Sequence, residues 1–156
     1  MVTRASLDVL DPAVLDRGNH FGTQPISATE GLAEALAASD IASGKWTPTL
    51  TNVINLSASG ALEATYQRIG NIVTCWGAFT ADPVAAAGTT TSLRMSLPIP
   101  SDFTSTLQSR GVISTNIAHH GGTVNSDATN DQVTMSWASE TTANVTWTFY
   151  FSYEIL

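Results

Sequence analysis

His119 and His120 stand side by side and are the residues whose type most readily suggests chemistry, since imidazole nitrogens bind metals and move protons near neutral pH. Neighbours on an extended strand point to opposite faces, so the pair would grip one metal only where a loop bends both rings together. No Cys, Asp or Glu stands beside them at ligand spacing. The sequence is therefore read as carrying no metal site within one chain, although identical histidines from several copies could meet near a symmetry axis as an ion or polar cluster. Glycan cleavage would need two carboxylates roughly 5 to 10 Å apart across a groove. Asp127 and Asp131 share one polar stretch, while most of Glu63, Asp82, Asp102, Glu140 and Glu154 fall in turn-like sequence. Solvated turn residues explain Asp127 and Asp131 without catalysis, so no catalytic residue is assigned and the chain is expected not to be an enzyme. No Gly-x-Ser-x-Gly elbow is present, and Gly121-Gly122 lacks the following Lys-Ser/Thr of a phosphate loop, so no cofactor is expected either.

Aromatic side chains offer a different chemistry, because a flat ring stacks on the apolar face of a sugar while nearby hydroxyls fix its orientation. The chain has four tryptophans and three tyrosines. Alternation along the sequence places Trp137, Trp147 and Tyr153 on inward faces, where they read as core. Trp76 and Tyr150 face the other way and are the candidate surface contacts for a ligand or a neighbouring subunit. Asn55-Leu-Ser57 and Asn144-Val-Thr146 fit the glycosylation pattern, which is frequent by chance and needs an export route.

Charge narrows the partners. Six basic against thirteen acidic residues give a formal net charge of −7, and the basic residues are dispersed, so no patch forms for nucleic acid or anionic lipid. Charged residues are only 12% of the chain, which leaves a surface of hydroxyls. The lone Cys75 cannot form an intramolecular disulfide and reads as a small buried hydrophobe. No signal-peptide-like run opens the sequence and no stretch approaches about 18 consecutive apolar residues, so a soluble product without membrane insertion is expected.

Three stretches must position these groups. Residues 1–26 mix Asp, Pro, Gly, Asn and isolated apolar side chains without a period, which reads as an extended segment that needs a neighbour to bury anything. Residues 27–43 open with Ser27-Ala-Thr-Glu30, the spacing of a capping box, and predict a short helix to about Ser39 with a linker after it. Leu32 and Leu36 lie one turn apart on that helix, too narrow a stripe to bury alone, so they are candidate oligomer contacts. Residues 44–156 change to period two and predict a mainly β domain, an antiparallel β-sandwich of jelly-roll or related type with six to eight strands.

Within that domain the clearest strand runs from Val145 to Ile155, with Val145, Trp147, Phe149, Phe151, Tyr153 and Ile155 on one face. Val133 to Trp137 alternates likewise and is expected to form a hairpin with it across Ser139–Asn144. Gly70-Asn71 between Ala64–Ile69 and Ile72–Phe79 predicts a second hairpin with a type II′ turn. Further strands are expected over Ser92–Leu97 and over Gly111–Ile117, the latter ended by Gly121-Gly122.

The stretch Asp16-Arg-Gly-Asn-His-Phe-Gly-Thr-Gln-Pro25 resembles a connector of bacteriophage tail-fibre proteins, usually Asp-Arg-Ala-Asn-His-Thr-Gly-Thr-Gln-Pro followed by a short helix. Gly44-Lys-Trp-Thr-Pro-Thr-Leu50 and Ala64-Thr-Tyr-Gln-Arg-Ile-Gly-Asn-Ile-Val-Thr74 resemble the opening of an all-β module carried by many phage fibre proteins. The likeness covers the connector and the first third of the β domain, and it departs from the usual connector at Gly18 and Phe21. It implies a structural protein of the virion, typically a homotrimer. Asp16, Arg17, Asn19, His20, Phe21 and Gln24 would then dock onto another tail or capsid protein, with the β module projecting outward. Two placements follow from the resemblance: a tail fibre that adheres to the host surface, possible glycans included, or a head fibre or capsid decoration protein. A free-standing carbohydrate-binding module is the competing class.

Overall fold

The computed structural model describes residues 40–117 and 120–156. The expected capped helix with Leu32 and Leu36, the anchoring residues Asp16, Arg17, Asn19, His20, Phe21 and Gln24, and His119 lie outside the described residues. Within them the chain is mainly β, as expected, with ten antiparallel strands and no helix. In chain order these are β1 (Ile41–Trp46), β2 (Leu50–Ile54), β3 (Leu56–Ala61), β4 (Ala64–Ile69), β5 (Ile72–Pro83), β6 (Thr89–Ser96), β7 (Ser109–Ser114), β8 (Gly121–Asp127), β9 (Gln132–Ser139) and β10 (Val145–Glu154). The first begins at Ile41, within the stretch read from sequence as linker.

The strands form one sheet in the order β1-β4-β5-β10-β7-β8-β9-β6-β2, with β3 paired to β5 off that path. Its spine is the pairing of β5 with β10 over ten consecutive positions, from Val145↔Ala81 to Glu154↔Ile72. The sheet curls into a sandwich-like roll. Trp137 of β9 lies 4.9 Å from Trp147 of β10 and 6.2 Å from Phe79 of β5, measured between ring centroids, although two strands separate β9 from β10 in the sheet. The core between the facing halves holds Val73, Cys75, Leu93, Met95, Val124 and Phe151, among others.

A bend completes the circuit. β2 pairs with β6 and β3 with β5, and Asn55 between them takes a φ of 56°, a left-handed conformation that Asn tolerates better than most residues. Its side chain secures the corner: Nδ2 donates to the Ala85 carbonyl at 2.9 Å and the Thr91 hydroxyl at 2.7 Å, while Oδ1 accepts the Ala85 amide at 2.7 Å. This amide, one of the two glycosylation-pattern asparagines, is thereby committed to structure.

The β4–β5 hairpin forms as expected, with Ile69 opposite Ile72. A positive φ of 62° at Gly70, without one at Asn71, is the pattern of a type II′ turn. The expected β9–β10 hairpin does not form. β9 pairs with β6 and β8, β10 pairs with β5 and β7, and residues 140–144 carry the chain across the core from one to the other. Both strands do turn their alternating apolar faces to the same core, which is the part of the pattern that periodicity reports. Gly121-Gly122 also differs from expectation: it opens β8, where Gly122 passes so close to β9 that a Cβ would lie 2.3 Å from the Ser136 carbonyl oxygen.

Candidate functional site

The expected inward residues are inward. Trp137, Trp147, Phe149, Phe151 and Tyr153 are buried, and Tyr153 donates its hydroxyl to the Ile99 carbonyl at 2.7 Å. Burial pushes the Tyr153 phenol well above its usual range, helped by the neighbouring Cys75. Cys75 is buried as expected, and loss of hydration pushes its thiol up to about 12. At neutral pH it is a protonated packing group, not a nucleophile.

The carboxylates singled out by sequence have structural partners. Asp127 ends β8, ion-pairs with Arg94 Nε at 3.1 Å and accepts hydrogen bonds from the Thr129 amide and Asn130 Nδ2. Asp131 accepts the amides of Ser101 and Phe103 at 3.0 and 3.2 Å and so pins the segment between β6 and β7. Glu63 pairs with Lys45, which raises the lysine pKa through their hydrogen bond and charge attraction. His120 is half-buried and stacks on Trp147, with ring centroids 6.4 Å apart. No cluster of three His, Cys, Asp or Glu side chains suited to a metal occurs among the described residues.

Trp76 and Tyr150 are brought together. They sit on the outer face of β5 and β10 as direct cross-strand partners, 40% and 56% exposed. The register continues the row on both sides, with Thr65 of β4 next to Trp76 and Val112 of β7, 59% exposed, next to Tyr150. Cβ atoms of direct partners stand about 4.5–5.5 Å apart, so Trp76, Tyr150 and Val112 make one continuous strip. Such a strip is not required by the fold, whose core lies on the opposite face of these strands.

Next to it runs a row of hydroxyls. Thr148 of β10 is opposite Ser114 of β7, and their side-chain oxygens lie 3.0 Å apart. This row forms one wall of an open cleft of about 790 Å³, whose polar lining is Ser114, Thr115, Asn116, Asn144, Thr146 and Thr148. None of its described lining residues is charged. Sequence reasoning identified the two aromatics but missed the cleft, because its walls come from residues 114–117 and 143–148 and no single residue among them is distinctive.

A second apolar feature lies at the far end of the same face. Ile41, Ile69 and Ile72 are consecutive in register across β1, β4 and β5, and all three are exposed. Together with the edge strand β1, whose only partner among the described strands is β4, they form an uncovered corner of the sheet. Comparison of the chain with protein-family models, with curated proteins and with solved structures finds no match.

Proposed function

We propose that this chain is a structural protein of a phage virion, a fibre or spike mounted through its N-terminal segment, with the β domain projecting outward to adhere to the host surface. The mounting half of the reading rests on the Asp16–Pro25 connector and on the likeness of Gly44–Leu50 and Ala64–Thr74 to fibre-protein modules. The adhesive half is carried by one observation, the exposed strip of Trp76, Tyr150 and Val112 on an otherwise hydroxyl-rich face. A large aromatic left in water on a flat sheet costs solubility unless a partner uses it. Homotrimeric assembly belongs to the same proposal and is supported by the exposed Ile41, Ile69 and Ile72.

Deletion of residues 1–25 tests the mounting. The truncated β domain should fold, as judged by circular dichroism, and should be missing from purified particles. Normal decoration of particles by the truncated protein would overturn the reading. A head fibre or capsid decoration protein is the second reading, since the departures from the usual connector at Gly18 and Phe21 leave room for a different docking partner. Electron microscopy of particles carrying a label on this protein separates the two: label at the tail supports the fibre, label over the capsid the decoration protein.

A further inference from the structure

We propose that the cleft between residues 114–117 and 143–148, together with the adjoining ring of Tyr150, is a binding site for a neutral saccharide. This deepens the adhesive reading above and rests on it for its biological role, but its chemistry stands on the geometry of the face itself.

The first argument is the character of the polar groups. Ser114, Thr115, Asn116, Asn144, Thr146 and Thr148 offer hydroxyls and carboxamides that both donate and accept hydrogen bonds. A phosphate, sulfate or carboxylate ligand calls for Arg, Lys or a set of aligned amide donors, and a bound cation calls for carboxylates. Neither kind of charge occurs in the described lining. A polyhydroxylated neutral ligand is the class whose own groups, each donor and acceptor at once, match such a wall.

The second argument is the position of the aromatic strip. Tyr150 follows Thr148 and Thr146 on the same outward face of β10 by two and four residues, about 7 and 13 Å along the strand. A sugar ring stacked on Tyr150 would therefore have its neighbour in the chain over the Thr148–Ser114 row and the next one in the cleft. Trp76, directly across from Tyr150, extends the stacking surface in the other direction. The cleft volume of about 790 Å³ lies within the roughly 300–1,000 Å³ typical of small-ligand sites. Side chains here already partly order one another, since Thr148 Oγ1 lies 3.1 Å from the Ser114 carbonyl as well as 3.0 Å from its hydroxyl, so little rotamer freedom remains to be lost on binding.

The test uses the full chain with maltohexaose, cellohexaose and chitohexaose as neutral probes and hexagalacturonate as the acidic one, read by tryptophan fluorescence and NMR shift perturbation. At least one neutral probe should bind in the millimolar range or tighter, with shifts at Tyr150, Thr148 and Asn144, and hexagalacturonate should bind at least about tenfold more weakly. Tyr150→Ala should weaken the neutral probe about tenfold, the loss expected from one stacking face, while circular dichroism stays unchanged and melting falls only slightly, because more than half of the residue is exposed. Asn144→Ala should weaken it without altering the Trp76 signal. Binding of none of the neutral probes, equal binding of hexagalacturonate, or shifts confined to another face would each overturn the proposal. The adhesive reading fails separately: if Tyr150→Ala abolishes saccharide binding while particles carrying it adsorb to cells normally, the site stands and its role in adhesion falls.

Discussion

Cys75 shows how one buried side chain sets a pH limit on the whole domain. Its thiol is pushed up to about 12 in the fold, while the unfolded chain releases that proton near 9.0. The folded value is the raised one, so the stabilising effect is complete below about pH 9 and is lost progressively up to about pH 12. The slope is at most ~1.4 kcal/mol per pH unit for one group. Tyr153, raised in the same direction from 10.0, steepens the fall above that point. Urea unfolding at a series of pH values should therefore show constant stability from pH 7 to 8.5 and a decline beyond, with a shallower decline between pH 9 and 10 in Cys75→Ala. Thiol reagents should label Cys75 only as fast as the protein opens.

A second residue-scale limit is steric. Gly111 of β7 faces Phe151 of β10, and a Cβ there would lie 2.3 Å from both the Tyr150 carbonyl oxygen and the Phe151 Cβ. Backbone and packed core occupy that space, so Gly111→Ala should cost about 1–3 kcal/mol, seen as a lower urea midpoint with an unchanged m-value. The same substitution at Gly121, whose nearest neighbour would be 3.5 Å away, should be close to neutral.

At the scale of elements, the Asn55 corner is the joint on which the roll depends. Asn55→Ala removes three side-chain hydrogen bonds and places a less tolerant residue at positive φ, for an expected loss of about 2–4 kcal/mol in chemical denaturation. Asn55→Gly should recover the backbone share alone. Little of this joint is legible in the sequence, where Asn55 looks like one polar residue among many. What is legible is local: the alternation of β10 and β9, the inward faces of Leu93 and Met95, and the Gly70 turn all follow from period and turn chemistry. β8 escapes notice because Gly-Gly-Thr-Val-Asn-Ser-Asp offers Val124 as its single apolar side chain. The pairing of β9 is missed for a different reason: partners distant in sequence are chosen by packing across the core, and alternation gives the face of a strand but not its neighbour. The site divides along the same line, since the outward direction of Trp76 and Tyr150 follows from alternation, whereas the cleft beside them depends on which loops meet.

For the whole molecule, low charge and abundant hydroxyl side chains would leave the proposed assembly to a few apolar contacts. The proposed homotrimer should be detected as a single species by analytical ultracentrifugation, and combined Ile41→Ser, Ile69→Ser and Ile72→Ser substitutions should shift it toward monomer. The isoleucines are partly exposed in the single chain, so these changes should leave it folded and lower its melting only through the lost cross-strand contacts. An unchanged mass would hand the assembly to Leu32 and Leu36. The saccharide site lies at the other end of the same face, so the triple variant should keep its affinity per chain and lose only the gain that several copies confer on a multivalent ligand.

The bend at Asn55 also governs alignment. Because β2 and β3 are joined by one residue, β2 cannot slide along β6 unless β3 slides along β5 by the same step. A one-residue slip would turn every side chain of both strands to the wrong face at once. The joint thus acts as an index pin between the two halves of the roll, and an amino acid inserted beside Asn55 would unlock both strands at once.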